Sequence, residues 1–281
     1  MSEVCEQIID CNPYILDYGN KTLVMGILNA TPDSFSDGGK YNNVDRAVKH
    51  AIQMVEDGVD IIDIGGESTR PGYEKISVQE ELERVAPVIE AVKKEVKVPI
   101  SIDTYKAEVA KGAIEAGAHI INDIWGAKYD PNMATIAGNY DVPIILMHNR
   151  GHRDYKHLYR DVINDLFESI QIVKNAGVKD DKIILDPGIG FAKDLEENIE
   201  MMRNLDKLVD IGYPVLLGTS KKSLIGQAMN LPLGERAEGT AATVCYGIQM
   251  GCQIVRVHDV KEISRMAKMM DILLGKGQSD G

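Results

Sequence analysis

Polar side chains follow nearly every apolar segment of this sequence, and they are of the types that bind and activate small molecules. The clearest case is the run from Asn29 to Gly39, which directly follows the apolar segment Leu23–Leu28. It is rich in hydroxyls, carboxylates, glycine and proline and has no helical period, so it is too polar for burial or for a simple turn. A single run of this kind could be an ordinary surface loop, but its recurrence favours a functional site.

Three of the polar positions offer paired acceptors and an amide, namely Asp103, Asn122 and Asp186. This set suits a flat heterocycle that carries several N–H donors and ring nitrogens. Local roles compete with that interpretation, because Asp186 begins a Pro-Gly turn sequence and Thr104 could merely cap the next helix. We interpret Asp103 as functional and leave both roles open for Thr104.

Basic side chains follow the last two apolar segments. Arg256 and His258 stand at alternate positions, so on a strand they point to the same side, where they suit an oxyanion or phosphate. Lys221 and Lys222 are adjacent, so both cannot point the same way, and we expect one to be solvated.

Several other kinds of site are disfavoured. Gly151 lies between His148 and His152 and argues against a helical zinc pair. No Ser-His-Asp elbow, P-loop or Cys-His pair is evident. The chemistry that remains is the binding of a polar heterocycle and assistance to a departing anionic group.

Eight apolar runs predict the strands that position these residues. They lie near Leu23–Leu28, Ile61–Ile64, Ile100–Ile102, Ile120–Ile121, Ile144–Met147, Ile183–Leu185, Val215–Leu217 and Ile254–Val257. Amphipathic patterns predict helices between them. One pattern runs from Leu82 to Val96 after Ser77 and Glu80 in capping-box spacing, and another comprises Ile199, Met202, Leu205 and Leu208. Shorter helices are predicted over 105–116, 131–140 and 237–250.

Strict β/α alternation over eight units predicts an α/β fold of the (β/α)8 TIM-barrel type. A doubly wound open sheet is the alternative, but the first βα turn lacks its glycine fingerprint. The segment Tyr14–Leu23, with Gly19-Asn20 at its middle, predicts a β-hairpin before the barrel that plugs its floor. In a barrel the C-terminal strand ends converge on one mouth, which favours an enzyme active site there.

Composition narrows the function further. The 281 residues show no linker, which predicts a single domain over 1–281, with 1–22 as N-terminal extension and hairpin. The net charge of −12 argues against nucleic-acid or anionic-membrane partners. No membrane span, secretory signal or Cys/His zinc pattern is visible, so we expect a cytoplasmic protein.

The chain resembles the dihydropteroate synthase family from about Leu23 to Leu274. The motifs that carry the resemblance are GILNATPDSFSDGG, DIIDIGGESTRPG, SIDT, NDIWG, LMHNRG, DPGIGF, GTSKKS and RVHDV. The resemblance implies a (β/α)8 barrel that joins 4-aminobenzoate to (7,8-dihydropterin-6-yl)methyl diphosphate and releases pyrophosphate, a transferase step of folate biosynthesis. It further implies sulfonamides as competitors and a homodimer.

The resemblance also implies residue roles. It places Asn29 on Mg2+ together with the diphosphate, and Thr69, Arg256 and His258 near the diphosphate. It places the pterin between four polar residues and two apolar ones, which are Asp103, Asn122, Asp186, Lys222, Ile124 and Met147. It assigns the 4-aminobenzoate and sulfonamide pocket to Phe35, Arg70, Pro71, Phe191 and Ser223.

These roles fit an SN1-like displacement at the pterin methylene carbon. Mg2+, Arg256 and His258 would neutralise the leaving diphosphate, and the Asp103 carboxylate would stabilise the cation that remains. The catalytic set is therefore expected to be Asp103, Lys222, Arg256 and His258. Two alternatives stay open: a pterin-dependent methyltransferase of corrinoid systems, and a non-catalytic paralogue that only binds pterin or phosphate.

Overall fold

The structure is a computed structural model that describes residues 7–31, 40–67 and 75–277, with the backbone alone at 40–42. Its strands are β1 (Ile8–Cys11), β2 (Tyr14–Asp17), β3 (Leu23–Asn29), β4 (Ile61–Gly65), β5 (Ile100–Asp103), β6 (Ile120–Asp123), β7 (Ile144–Met147), β8 (Ile183–Asp186), β9 (Leu216–Leu217) and β10 (Ile254–Val257). Its α-helices are α1 (Lys40–Glu56), α2 (Val78–Glu95), α3 (Ala107–Ala116), α4 (Met133–Tyr140), α5 (Leu158–Asn175), α6 (Leu195–Arg203), α7 (Leu205–Val209), α8 (Ser223–Met229), α9 (Ala237–Gln249) and α10 (Val260–Leu273).

The parallel strands β3 to β10 close into a barrel. Seven ladders join them in the order β8-β7-β6-β5-β4-β3-β10-β9. A parallel bridge between Leu185 and Val215, with the Leu185 N–H donating to the Pro214 carbonyl at 2.9 Å, brings the two ends of that order together. The predicted TIM barrel is confirmed, and the open doubly wound sheet is wrong because such a sheet leaves its two outer strands apart.

Side chains that point into the barrel form an apolar lower layer and a polar upper layer. The lower layer is fully buried and consists of Leu23, Met25, Ile61, Ile120, Ile145, Ile184, Leu216 and Ile254. Two residues further along most of these strands, on the same face, come the polar residues of the upper layer, among them Asp63, Asn122, Asp186 and Arg256. The C-terminal mouth is therefore built by the same alternation that fills the floor.

The hairpin before the barrel plugs this floor, as predicted, but its position differs from the prediction. Strands β1 and β2 pair antiparallel around Asn12-Pro13, and Ile9, Cys11 and Leu16 pack into the lower layer. Gly19 and Asn20 instead follow the hairpin, in a turn where both N–H groups donate to the Asp17 carboxylate. An Asx turn of this type gives the same Gly/Asn signal as a hairpin turn.

Most strands extend one or two residues beyond their apolar runs. The ladder between β5 and β6 includes the pair Asp103 and Asn122, so both polar residues lie within strands rather than in the loops after them. The ladder of backbone hydrogen bonds does not depend on side-chain polarity, which explains why the apolar pattern ended early.

The helix prediction also needs correction at one stripe and is incomplete at two other helices. The apolar stripe from Ile199 to Leu208 is divided between α6 and α7, because the helical backbone is interrupted at Asn204. Helices α1 and α8 were not predicted.

Ser77 does cap α2, since its hydroxyl accepts a hydrogen bond from the Glu80 N–H at 3.1 Å. Among the helices of the described ranges, none combines the length and apolar character needed to cross a membrane.

Candidate active site

Strand register places the first residues of the candidate site side by side. Asn29 of β3 pairs with Gly65 of β4, Gly65 with Asp103 of β5, and Asp103 with Asn122 of β6. Neighbouring strands lie about 4.8 Å apart, so these residues form one row across the mouth. The structure thus brings together Asn29, Asp103 and Asn122, as the sequence predicted.

Arg256 links the Asp103 carboxylate of this row to the carboxylate of Asp63, which lies two residues earlier on β4. Its Nε donates to Oδ2 of Asp63 and its Nη2 donates to Oδ2 of Asp103, each at 2.6 Å. Asp63 is fully buried and also accepts a hydrogen bond from the Asn122 amide at 3.1 Å. The guanidinium therefore fixes two acidic side chains from two different strands through charge-assisted hydrogen bonds.

Asp63 is the residue of the site that sequence reasoning missed. It lies in the middle of β4, in an otherwise apolar run, and not after a strand end where the candidates were sought. A carboxylate inside a buried strand is costly without a partner. That cost was the available signal for a polar partner such as Arg256.

The burial of Asp103 has an electrostatic consequence. Removal from water raises the pKa of Asp103 to about 7, an effect that Arg256 opposes and the nearby Asp63 reinforces. Within the described part of the chain, Oδ1 of Asp103 and Oδ1 of Asp63 have no hydrogen-bond partner. Burial of Oδ1 without a hydrogen bond costs free energy. A ligand that donated a hydrogen bond to the Asp103 carboxylate would offset that cost.

A second pair of opposite charges lies across the barrel, at Asp186 of β8 and Lys222. Burial raises the pKa of Asp186 and lowers that of Lys222 to about 8, while each group partly offsets the shift of the other. Oδ1 of Asp186 accepts from the Gly188 N–H at 2.7 Å, and Lys222 Nζ donates to the Ile189 carbonyl at 2.6 Å. Both side chains can form further hydrogen bonds to a ligand.

An apolar wall borders the polar row. Tyr105, Ile124 and Met147 are buried together, and Trp125 and Phe191 pack against them. Lys222 Nζ lies 4.9 Å from the centre of the Phe191 ring, so this wall adjoins the lysine. Ile124 and Met147, which the family resemblance assigns to the pterin ring, both belong to this wall.

Lys221 and Lys222 point in different directions, as expected. Lys221 turns away to pair with Asp259 at 2.7 Å, whereas Lys222 contacts the site. His258 is oriented by Ser220, whose hydroxyl lies 2.9 Å from Nδ1. Ser220 is a further residue that the sequence analysis did not single out.

Two further polar residues near the mouth, Thr104 and His148, make contacts within the protein. The Thr104 hydroxyl accepts a hydrogen bond from the Lys106 N–H at 3.2 Å, as a local turn requires. His148 is buried and contacts Asp165 and Lys193, at 3.0 and 2.9 Å. Those contacts occupy both ring nitrogens of His148.

The structure describes only one of the remaining predicted site residues. Ser223 is exposed and begins α8, directly after Lys222. Phe35, Thr69, Arg70 and Pro71 lie outside the described residues.

Asn29 alone cannot hold a divalent cation. Its side chain is exposed at the end of β3 and offers one neutral amide oxygen. No cluster of three or more His, Cys, Asp or Glu residues suited to a metal occurs in the described ranges. Mg2+ prefers near-octahedral oxygen coordination with retained waters and substrate phosphates. The donor set therefore fits Mg2+ that a diphosphate brings with it.

Comparison with known proteins identifies the family. The model of the family described as pterin binding enzyme matches residues 25–258. The dihydropteroate synthase of Bacillus subtilis (strain 168) is 61% identical over 271 residues, which cover 96% of this chain and 95% of that protein. The chain belongs to the dihydropteroate synthase family. It is accordingly an enzyme of the transferase class.

Solved structures agree with this assignment. A dihydropteroate synthase from Clostridium difficile, crystallised in the presence of pteroic acid, is 51% identical, with a TM-score of 0.90 over 92% of this chain and 98% of that chain. A Yersinia pestis dihydropteroate synthase in complex with a sulfonamide drug is 40% identical, with a TM-score of 0.88 over 95% of this chain and 99% of that chain. The fold of this chain is therefore that of its family throughout the barrel.

Proposed function

We propose that this chain makes 7,8-dihydropteroate from (7,8-dihydropterin-6-yl)methyl diphosphate and 4-aminobenzoate by breaking the C–O bond before the C–N bond forms. The observation that carries the proposal is the Asp103 carboxylate, which Arg256 holds by Oδ2 while Oδ1 has no partner among the described residues. A fixed negative charge in a site shielded from water stabilises a developing cation more than water does.

The pterin is proposed to lie between the two charge pairs. Asp186 and Asp103 supply acceptors for its N–H groups, Asn122 supplies an amide, and Lys222 donates to a ring acceptor. Lys222 Nζ makes a hydrogen bond to Ile189 and has further N–H groups for a ligand. Ile124 and Met147 provide the apolar surface against which the ring packs.

The diphosphate is proposed to leave toward Arg256 and His258. Nε and Nη2 of Arg256 donate to carboxylates. We assign the third guanidinium nitrogen, Nη1, to a phosphate oxygen. We assign His258 to the same group, and Ser220 orients its ring through the contact with Nδ1. Thr69 is assigned to the same group by the family resemblance. Mg2+, when bound with the diphosphate at Asn29, would supply charge neutralisation of the leaving group.

The 4-aminobenzoate amine needs no strong base in this scheme, since its lone pair attacks a cation and the proton leaves afterwards. The aryl pocket is proposed to comprise Phe191 and Ser223 together with Phe35, Arg70 and Pro71. Sulfonamides are proposed to compete there, since they present the same arylamine opposite an acidic group.

We also propose that the protein is a cytoplasmic homodimer, as the family resemblance and the composition imply.

The function is tested by mixing the protein with the pterin diphosphate, Mg2+ and 4-aminobenzoate and measuring pyrophosphate and dihydropteroate. Equal amounts of both products are expected. Binding of the pterin diphosphate with no release of pyrophosphate would contradict the proposal and support the non-catalytic alternative.

Mg2+ should bind weakly to the free protein and much more tightly when pyrophosphate is present. The reason is that Asn29 supplies one neutral oxygen and the diphosphate must supply charged ones. Isothermal titration of Mg2+ with and without pyrophosphate measures the difference. Tight binding to the protein alone would show that a protein site for the metal exists that we have not assigned.

The pH dependence of kcat/KM should report the Asp103 carboxylate. This profile follows groups of the free enzyme, and the pKa of Asp103 is about 7, so activity is expected to rise as Asp103 loses its proton through that pH. The Asp63 charge helps to raise this pKa, so Asp63→Asn should move the rising limb to lower pH. A limb that stays in place, or moves to higher pH, would contradict the assignment.

A further inference from the structure

The turn that follows β8 carries Phe191 and is costly to form by itself. Gly188, Gly190 and Ala192 have φ angles of 66°, 85° and 46°, and the last of these is strained for a residue with a Cβ. At Gly188 a Cβ would overlap the His148 carbonyl oxygen, so the turn lies directly against the end of β7. Contacts from outside the turn must hold this conformation.

Lys193 supplies the central contacts. Its side chain is buried, and Nζ donates to the carbonyls of Gly188 and Phe191 at 3.1 and 3.2 Å. Nζ also lies 2.9 Å from Nδ1 of His148. Burial lowers the pKa of Lys193 to about 7. In its charged form the side chain has three N–H donors, so these three acceptors use all of them and leave none for a substrate. In this respect Lys193 differs from Lys222.

A buried chain of polar groups orients Lys193. His148 Nε2 lies 3.0 Å from Oδ2 of Asp165, and Arg150 also donates to Asp165. Burial lowers the pKa of His148 to about 4, so the ring is neutral near pH 7. A neutral ring that donates from Nε2 to the carboxylate must accept at Nδ1, which matches the position of Lys193 Nζ.

We propose that Lys193, held by His148 and Asp165, is a positioning residue that fixes the Gly188–Phe191 turn and thereby the Phe191 face of the 4-aminobenzoate pocket. This inference rests on the proposed function, which assigns Phe191 to that pocket. This series of polar side chains extends from α5 through the end of β7 to the turn after β8, so two neighbouring βα units of the barrel are tied together behind the ring.

The kinetic test replaces Lys193 by methionine, which keeps the length of the side chain and removes its donors. We expect the KM for 4-aminobenzoate to rise about tenfold or more, because small displacements of positioning groups have effects of that size. The KM for the pterin diphosphate should change much less. The matched control is Lys182→Met, because Lys182 is also buried and donates to a carbonyl, that of Asp10, but lies at the barrel floor. The control should change neither KM.

Equal increases of both KM values, or no increase in either, would overturn the positioning role. If Lys193→Met does not fold, Asp165→Asn removes the carboxylate that orients His148 and should change the same KM in the same direction. A wild-type enzyme that releases no pyrophosphate would instead contradict the proposed function.

A spectroscopic test does not depend on activity. The chain has three phenylalanines, at positions 35, 167 and 191, so labelling with 4-fluorophenylalanine gives few fluorine resonances. The signal that disappears in Phe191→Leu identifies Phe191. We expect this signal to shift or broaden in Lys193→Met but not in Lys182→Met, with the exposed Phe167 as reference. An unchanged Phe191 signal in Lys193→Met would overturn the inference.

Discussion

Asp103→Asn is expected to lower kcat by about 100- to 1,000-fold, the range found when one preorganised group that stabilises transition-state charge is removed. Asparagine keeps the shape of the side chain and can still accept a hydrogen bond from Arg256. It lacks the negative charge that the developing pterin cation requires. The loss should therefore fall on kcat, with a smaller effect on pterin binding. Steady-state measurement of pyrophosphate release separates the two.

The control for this variant is Asp271→Asn. Asp271 is another buried carboxylate, and it accepts hydrogen bonds from the Thr22 N–H and hydroxyl, at 2.8 and 2.6 Å, on the side away from the mouth. The Asp271→Asn variant should have a lower free energy of unfolding but an unchanged kcat. If Asp103→Asn kept normal kcat, the carboxylate would have no part in stabilising the cation.

Arg256→Met is expected to lower the free energy of unfolding by about 3–5 kcal/mol, because it leaves the carboxylates of Asp63 and Asp103 buried without their cation. The double variant Arg256→Met with Asp63→Asn should recover part of this loss, since it removes one of the two uncompensated charges. Urea unfolding of each protein provides the comparison. The control is Arg153→Met, because the ion pairs of this exposed side chain are screened by water and should contribute little to stability.

The effect of Arg256→Met should also depend on pH in a defined direction. A carboxyl whose folded pKa lies above its unfolded value contributes stability at low pH that is lost as the pH rises through the folded pKa. In the native enzyme the pKa of Asp103 is raised from 3.8 to about 7, and Arg256 is the group that limits the rise. Without Arg256 this window extends to higher pH. The variant should therefore be closest to the native enzyme near pH 5 and furthest from it at pH 8, and the opposite trend would contradict the ion-pair account.

The barrel could be predicted from the sequence because one physical pattern repeats. Parallel strands covered by helices consist mostly of apolar residues, so the runs Ile144–Met147 and Ile254–Val257 have the same bounds in the sequence pattern and in the structure. The polar residues after such runs then converge because of closure. This reasoning placed Asp103, Asn122 and Asp186 in one mouth, where the structure has them.

The rest depended on contacts that local patterns do not contain. Asp63 is acceptable inside β4 only because Arg256 reaches it from β10, far away in the chain. Lys193 acquires its role from His148 and Asp165, which belong to the preceding unit of the barrel. The position of the hairpin turn was missed because Gly19-Asn20 and Asn12-Pro13 are both turn sequences, and packing of Ile9 and Leu16 into the floor decides between them.

The order of bond breaking is the central claim, and isotope scrambling tests it most directly. Pterin diphosphate labelled with 18O at the oxygen between carbon and phosphorus is incubated with the enzyme and Mg2+ in the absence of 4-aminobenzoate, and the recovered substrate is analysed. If the C–O bond breaks first and re-forms, rotation of the pyrophosphate moves the label to non-bridging positions, and we predict this result. A label that stays in the bridge, in an enzyme that forms dihydropteroate normally once 4-aminobenzoate is added, would contradict the dissociative account.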